Sequence, residues 1–191
     1  MAFDGENEAS DADLLRRYAA GDQSAARALT FRHAPRLLAL ARRMLADAAE
    51  AEDVTQETLL RLWKIAPDWR EEAALSTWLY RVASNLCVDR LRRRREIMPA
   101  IMPEVADEAP SPRRGLLARD RAGALAAALE RLPARQRLVI VLRHIEERSN
   151  PEIAAILETS VEAVESLLGR ARRELAAQLL PRRDELGFLD D

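Results

Sequence analysis

Two helix starts separated by one short helix dominate the C-terminal third of the chain. Ser149-Asn150-Pro151-Glu152 offers a serine cap, a proline in the first turn where a missing N–H costs nothing, and a glutamate placed to reach back in a capping box. Thr159-Ser160-Val161-Glu162 repeats the pattern after a turn of a few residues. Two short helices joined so tightly must cross at a large angle, and they need the preceding helix, Arg135 to Glu146, to close a core. The spacing therefore predicts a helix-turn-helix from about Ser149 to Leu179. Ile153, Ala154 and Leu157 form the inner face of its first helix, and Val161, Val164, Leu168, Ala171 and Leu175 that of its second. The opposite face then presents Glu162, Ser166, Gly169, Arg170 and Arg173, with Glu165, Leu167 and Arg172 on its flanks. Such a face suits a major groove: arginines meet phosphates or guanine edges, and a glutamate accepts from a cytosine amino group. A solvated helical bundle with an arginine-bearing outer face is the alternative.

The rest of the composition agrees with helices. Ala, Leu, Arg and Glu dominate the 191 residues, and glycine and aromatics are scarce, so the expected class is all-α. One cysteine, Cys87, and two histidines, His33 and His144, exclude a disulfide framework and offer no metal cluster. No nucleophile–base pair or phosphate loop points to an enzyme, and no cofactor is expected. With no secretory signal and no apolar run of membrane-spanning length, the expected location is the cytoplasm. The net charge of −2 hides strong segregation. Asp4, Glu6, Glu8, Asp11 and Asp13 open the chain without a base, whereas Arg90 and Arg92 to Arg95 form a dense basic block.

Two small helical domains joined by a flexible Pro-rich linker fit the patterning best. Residues 1–10 read as a disordered acidic tail. From 11 to 95, a short helix around Leu14, Leu15 and Tyr18 ends at Gly21-Asp22. A longer one carries Ala28, Phe31, Leu37, Leu38, Ala41 and Leu45, and a third spans roughly Ala48 to Ile65 before Pro67. Ser76 or Thr77 is placed to cap a fourth that runs into the arginines. Pro99, Pro103, Pro110 and Pro112 make residues 96–115 a linker. The second domain covers 116–180, with an Ala/Leu-rich helix to Leu132, another from Pro133 carrying Leu138, Val139, Leu142 and Ile145, and then the helix-turn-helix. Residues 181–191 are a tail.

In the third helix Val54 and Leu62 face inward, while Asp53, Gln56, Glu57 and Leu60 line an outward ridge. The ridge could dock another protein, but taken alone it reads better as a solvated charged face. Trp63 and Trp78 read as core anchors rather than base-stacking groups.

The order of four segments is more specific. Glu52 to Trp63 is followed by Thr77-Trp78-Leu79-Tyr80-Arg81-Val82-Ala83-Ser84-Asn85 through Asp89 to Arg92-Arg93, then by Leu132-Pro133 with Arg137. Last comes Ser149-x-x-Glu152-Ile153-Ala154 with Arg170-Ala171-Arg172. In this order the chain resembles a sigma factor of bacterial RNA polymerase, of the small extracytoplasmic-function type, over nearly all of residues 11 to 180.

The resemblance implies a two-domain initiation factor whose first domain binds the polymerase clamp and opens the −10 promoter element, and whose second reads the −35 element. It places Asp53, Gln56, Glu57, Leu60 and Arg61 on the β′ clamp, and the β flap is a second implied contact of the polymerase. Asn85, with Arg90, Arg92, Arg93 and Arg94, falls at the −10 strand. There a neutral amide can hydrogen-bond an extruded base edge while arginines hold phosphates. Asp89 is expected to orient Arg92 or Arg93 through a local ion pair, with a purely structural role equally open. Trp69 to Ala74 corresponds by position to a base-capturing loop. Glu165, Ser166, Gly169, Arg170 and Arg173 fall at the −35 element. Family members often carry a basic residue where Glu165 and Leu167 stand, so weaker nonspecific DNA binding is expected here. An anti-sigma factor is an implied partner. Two alternatives remain: a sigma-like mimic that sequesters an anti-sigma factor without binding DNA, and an ordinary helix-turn-helix repressor.

Overall fold

A computed structural model describes residues 9–70, 73–97 and 114–182, with side chains of the last segment from residue 122 onward. These residues form eight α-helices and two short 3-10 turns, with no strand among them. The first half comprises α1 (Asp11–Ala19), α2 (Gln23–Leu45), α3 (Ala48–Ile65) and α4 (Leu75–Ile97); the second comprises α5 (Arg114–Arg131), α6 (Ala134–His144), α7 (Asn150–Leu157) and α8 (Val161–Leu179). Most of the expected 96–115 linker, the 1–10 tail and the 181–191 tail lie outside the described residues.

Local chemistry sets the boundaries. Ser10 caps α1 by accepting from the Asp13 amide at 3.1 Å, and Gly21, at φ 97°, turns the chain toward Asp22, which caps α2. The hairpin from α2 to α3 turns on Ala46 and Asp47 alone: Ala46 is left-handed at φ 52°, and Asp47 accepts from the Glu50 amide at 3.0 Å. Arg94, far along α4, braces this turn. Its Nη1 donates to the Leu45 carbonyl at 3.0 Å and its Nε to Glu50 Oε1 at 3.1 Å.

Several expectations shift. The fourth helix begins at Leu75, so Ser76 and Thr77 lie inside its first turn rather than capping it. Phe31, counted on the apolar stripe of α2, is 76% exposed, and Leu29, fully buried, fills the inner position. Ile156, absent from the expected core, is buried in α7, while Leu157 is half-buried. Of the two expected capping boxes, the one at Ser149 is complete. Ser160 caps α8 by accepting from Ala163, and an alanine at that position has no side chain to reciprocate.

The two halves share one continuous buried apolar cluster, from Leu14 through Leu79 and Leu138 to Ala171. Helix α6 supplies the junction, packing on α2 and α4 on one side and on α7 and α8 on the other. Leu138, Val139, Val141 and Leu142 are all buried, which leaves Ile145 at the edge of the expected stripe. Trp63 stacks obliquely on Tyr18 with centroids 4.7 Å apart, and Trp78 meets Trp69 edge-on at 5.9 Å, so the tryptophans act as packing anchors.

Candidate nucleic-acid interface

Three surfaces hold the residues singled out from the sequence. On α3, the buried face of Ala51, Val54, Thr55, Thr58 and Leu62 turns Asp53, Gln56, Leu60 and Arg61 to solvent, with Glu57 half-exposed beside them. Glu57 and Arg61 are joined by a 2.9 Å bond one helical turn apart, so their charges offset along the ridge. Leu60, 62% exposed, places an apolar side chain at its centre. An apolar spot rimmed by paired charges suits a protein partner better than bulk water.

On α4 the sequence-derived arginines divide. Arg94 is spent on the α2–α3 turn, and Arg90 lies 3.6 Å from Asp53 with a further 3.5 Å contact to the Glu50 carbonyl. Both brace α4 against α3. Arg92 and Arg93 point outward, and Arg92 pairs with Glu96 at 3.3 Å rather than with Asp89 as expected. Asn85, Asp89 and Arg92 share one exposed stripe and line one wall of a groove of about 400 Å³ whose other wall comes from the second half. Trp69 at the start of the expected base-capturing loop is half-buried against Trp78, and residues 71 and 72 lie outside the described residues.

On α8 the buried stripe is Val164, Leu168 and Ala171, which leaves Glu165, Ser166, Arg170 and Arg173 exposed and Gly169 partly so. Arg170 Nη2 donates to the Ser166 hydroxyl at 3.1 Å, presetting the guanidinium on that face. Glu165 accepts a long 3.5 Å contact from the Asn150 amide at the start of α7, tying the two helices of the motif. The Ser149–Glu152 box is tighter: the backbone N–H and hydroxyl of Ser149 both donate to Glu152, and with Arg148 they hold its carboxyl at about 2.

Comparison with known proteins identifies the family. Residues 30–97 match the family model for sigma-70 region 2 and residues 122–175 that for sigma-70 region 4. The ECF RNA polymerase sigma factor SigM of Mycobacterium tuberculosis is 35% identical over 179 residues, spanning 94% of this chain and 89% of that one. The chain belongs to the ECF sigma factors of RNA polymerase. This sigma factor is also 34% identical to CnrH of Cupriavidus metallidurans, over 90% of its own length and 95% of CnrH. Among solved structures, CnrH in complex with the cytosolic domain of CnrY matches at 32% identity and TM-score 0.65, covering 88% of this chain and 96% of that one. RpoE bound to the anti-sigma factor NepR from Bartonella quintana matches at 25% identity and TM-score 0.59, over 78% and 93% of the two chains. ECF sigma factors are initiation factors rather than enzymes, and the chain's chemistry is that of binding. Among the described residues, no helix is long and apolar enough to cross a membrane.

What sequence reasoning missed are the groups that join the halves. Tyr80, Arg81, Arg43, Arg137, Glu146 and Glu158 carry no motif of DNA reading, and nothing in their local sequence says what they face. Tyr80, Arg81 and Arg137 stand in the segments that carry the resemblance, but their contacts across the halves are not written there.

Proposed function

We propose that this sigma factor recruits core RNA polymerase through the α3 ridge of Asp53, Gln56, Glu57, Leu60 and Arg61. It then engages the −10 element with Asn85, Arg92 and Arg93 and the −35 element with Ser166, Gly169, Arg170 and Arg173. Arg90 and Arg94 belong to the −10 set as supports for α4. The working units correspond to residues 11–95 and 116–180, and the protein acts in the cytoplasm.

The observation that carries this reading is the coexistence of a protein-docking ridge with two exposed polar faces, each suited to nucleic acid, in one chain of sigma-factor length. A repressor has no use for the ridge. Control by an anti-sigma factor is part of the proposal, supported by the structural relative RpoE, solved with the anti-sigma factor NepR, and by CnrH, solved with the cytosolic domain of CnrY. The test is transcription in vitro from a promoter library with core polymerase and the purified chain. Initiation from a sequence-defined subset supports it. Failure to initiate while an anti-sigma factor is still bound favours a sequestering mimic.

A further inference from the structure

Beside the reading face of α8 lies a cluster of basic groups that the −35 set does not use. His144, in the last turn of α6, and Arg172, on α8, are both exposed, and Arg172 Nη2 lies 3.4 Å from His144 Nε2. A guanidinium can only donate, so the imidazole nitrogen accepts and His144 is neutral in this arrangement. Arg143 stands next to it, also exposed, and its Nη1 donates to the Arg148 carbonyl at 3.1 Å, which ties it to the α6–α7 turn. Among the described residues neither arginine is bonded to a carboxylate. The acids of this corner are committed elsewhere: Glu146 accepts from Arg43 and Tyr80 at 2.8 Å each, and Glu152 from Ser149 and Arg148. Glu147, in the same turn, is exposed and among the described residues bonds to none of the three. The charges His144 meets are therefore Arg172 from α8 and Arg143 from its own helix. Partial burial, with the repulsion of Arg172 and then of Arg143, holds the imidazole below its ordinary 6.5.

Two guanidiniums and an imidazole held together without an acid make a site that an anion completes. The geometry of α8 says which anion. Arg172 follows Glu165 by two helical turns, so the two lie on one flank of the helix, about 10 Å apart along its axis. That flank borders the face of Ser166, Arg170 and Arg173, where one strand of a duplex runs if α8 enters the major groove. A phosphate oxygen seated between Arg172 and His144 takes over the Arg172 N–H. His144 Nε2 is then free to bind a proton from solvent and donate it to a second oxygen.

We propose that Arg172, His144 and Arg143 bind a backbone phosphate of the duplex that α8 reads, and that His144 takes up one proton as the phosphate seats. This rests on the −35 reading of α8 given above. The phosphate raises the imidazole's affinity for a proton, so duplex binding is tightest in mild acid and weakens as pH rises through the value of the phosphate-paired imidazole.

The test uses the untagged full-length chain and a fluorescent duplex of randomised sequence at low salt. Affinity should be about three- to tenfold higher at pH 6 than at pH 8, since uptake of one proton changes it by at most about tenfold per pH unit. His144→Gln should flatten that dependence. Arg172→Gln should weaken binding about threefold and lower the salt slope by about one counterion. Because the chain has two histidines and His33 is buried, proton NMR reads the site directly, with His144→Gln assigning the signal. The His144 ring should titrate at higher pH with the duplex bound than without it, and inorganic phosphate at the same phosphate concentration should not move it. A titration that the duplex leaves unchanged, a pH dependence that persists in His144→Gln, or undiminished binding by Arg172→Gln overturns the site. A shift that inorganic phosphate reproduces overturns its assignment to the DNA backbone. Arg170→Ala separates the two readings: if it weakens duplex binding while the His144 signal stays put, α8 still reads DNA and the phosphate site alone fails.

Discussion

Arg137 on α6 donates two hydrogen bonds, at 2.6 and 3.1 Å, to the backbone carbonyl of Arg43 near the end of α2. That carbonyl lies in the last turn, where helical partners run out and the negative end of the helix dipole favours a cation. Arg137 is 5% exposed, and burial pulls its pKa down, so its charge is held by these bonds rather than by water. Arg137→Met keeps most of the volume but orphans the carbonyl. The expected loss is about 1–3 kcal/mol in urea denaturation of the full chain. Arg137→Lys, which cannot fork onto one oxygen, should recover less than half of it.

The capping box at the start of α7 predicts an acid-sensitive motif. Because the folded Glu152 carboxyl titrates at about 2, below its ordinary 4.5, its contribution is complete above pH 4.5 and is lost as pH falls toward 2. Ser149→Ala should cost about 1 kcal/mol at neutral pH. It should also flatten the stability profile between pH 4.5 and 2, as should Glu152→Gln. A profile in either variant that stays as steep as in the parent chain would show that other carboxylates control acid unfolding.

Leu29 and Phe31 separate what periodicity reports from what packing decides. Both are large and apolar and lie two positions apart on α2, yet one is fully buried and the other 76% exposed. Leu29→Ala should cost about 2–5 kcal/mol through lost transfer energy and a residual cavity. Phe31→Ala should change stability by less than about 0.5 kcal/mol. Thermal melts of the two variants side by side check the assignment.

That contrast shows where the sequence was legible. Helix α3 lies where its apolar period and Pro67 put it, roughly Ala48 to Ile65. The helix-turn-helix was read from Ser149 and Glu152, whose chemistry is local. Phe31 was misplaced because a stripe several residues wide does not say which edge meets the neighbour. The second capping box failed at Ala163, where the position facing Ser160 lacks the reciprocal group. Arg90 and Arg94 looked identical to Arg92 and Arg93 in the basic block, since only the position of α3 shows which arginines are spent on Asp53, Glu50 and the α2 terminus. The Tyr80–Glu146 contact spans 66 residues of chain, and no local pattern encodes a pairing of that range.

The α3 ridge predicts a clean separation of binding from folding. Asp53 is exposed and its pairing with Arg90 is long at 3.6 Å, so reversing it removes little internal stability. Asp53→Lys and Glu57→Lys should each abolish co-purification with core polymerase, with circular dichroism and melting temperature within error of the parent chain. Asp53→Asn should retain part of the binding. Undiminished co-purification of both reversals would move polymerase docking away from α3.

Glu165 gives the sharpest expectation for DNA reading. It is exposed beside Ser166 and Arg170, and among the described residues its polar contact is the 3.5 Å approach of the Asn150 amide, so little there depends on it. If α8 reads DNA as proposed, a carboxylate at this shoulder repels the phosphate backbone that the neighbouring arginines attract. Leu167 is half-buried and faces the groove toward α4, and it carries no charge to offset the repulsion. Glu165→Lys removes one repulsion and adds one phosphate contact. Binding to duplex DNA of unrelated sequence should strengthen about three- to tenfold at low salt, and the salt dependence should steepen by about one counterion. Selection from a randomised −35 duplex should relax at one base pair, because a lysine holds phosphate without the acceptor that a cytosine amino group requires. Unchanged affinity and unchanged selection together would place Glu165 away from the groove.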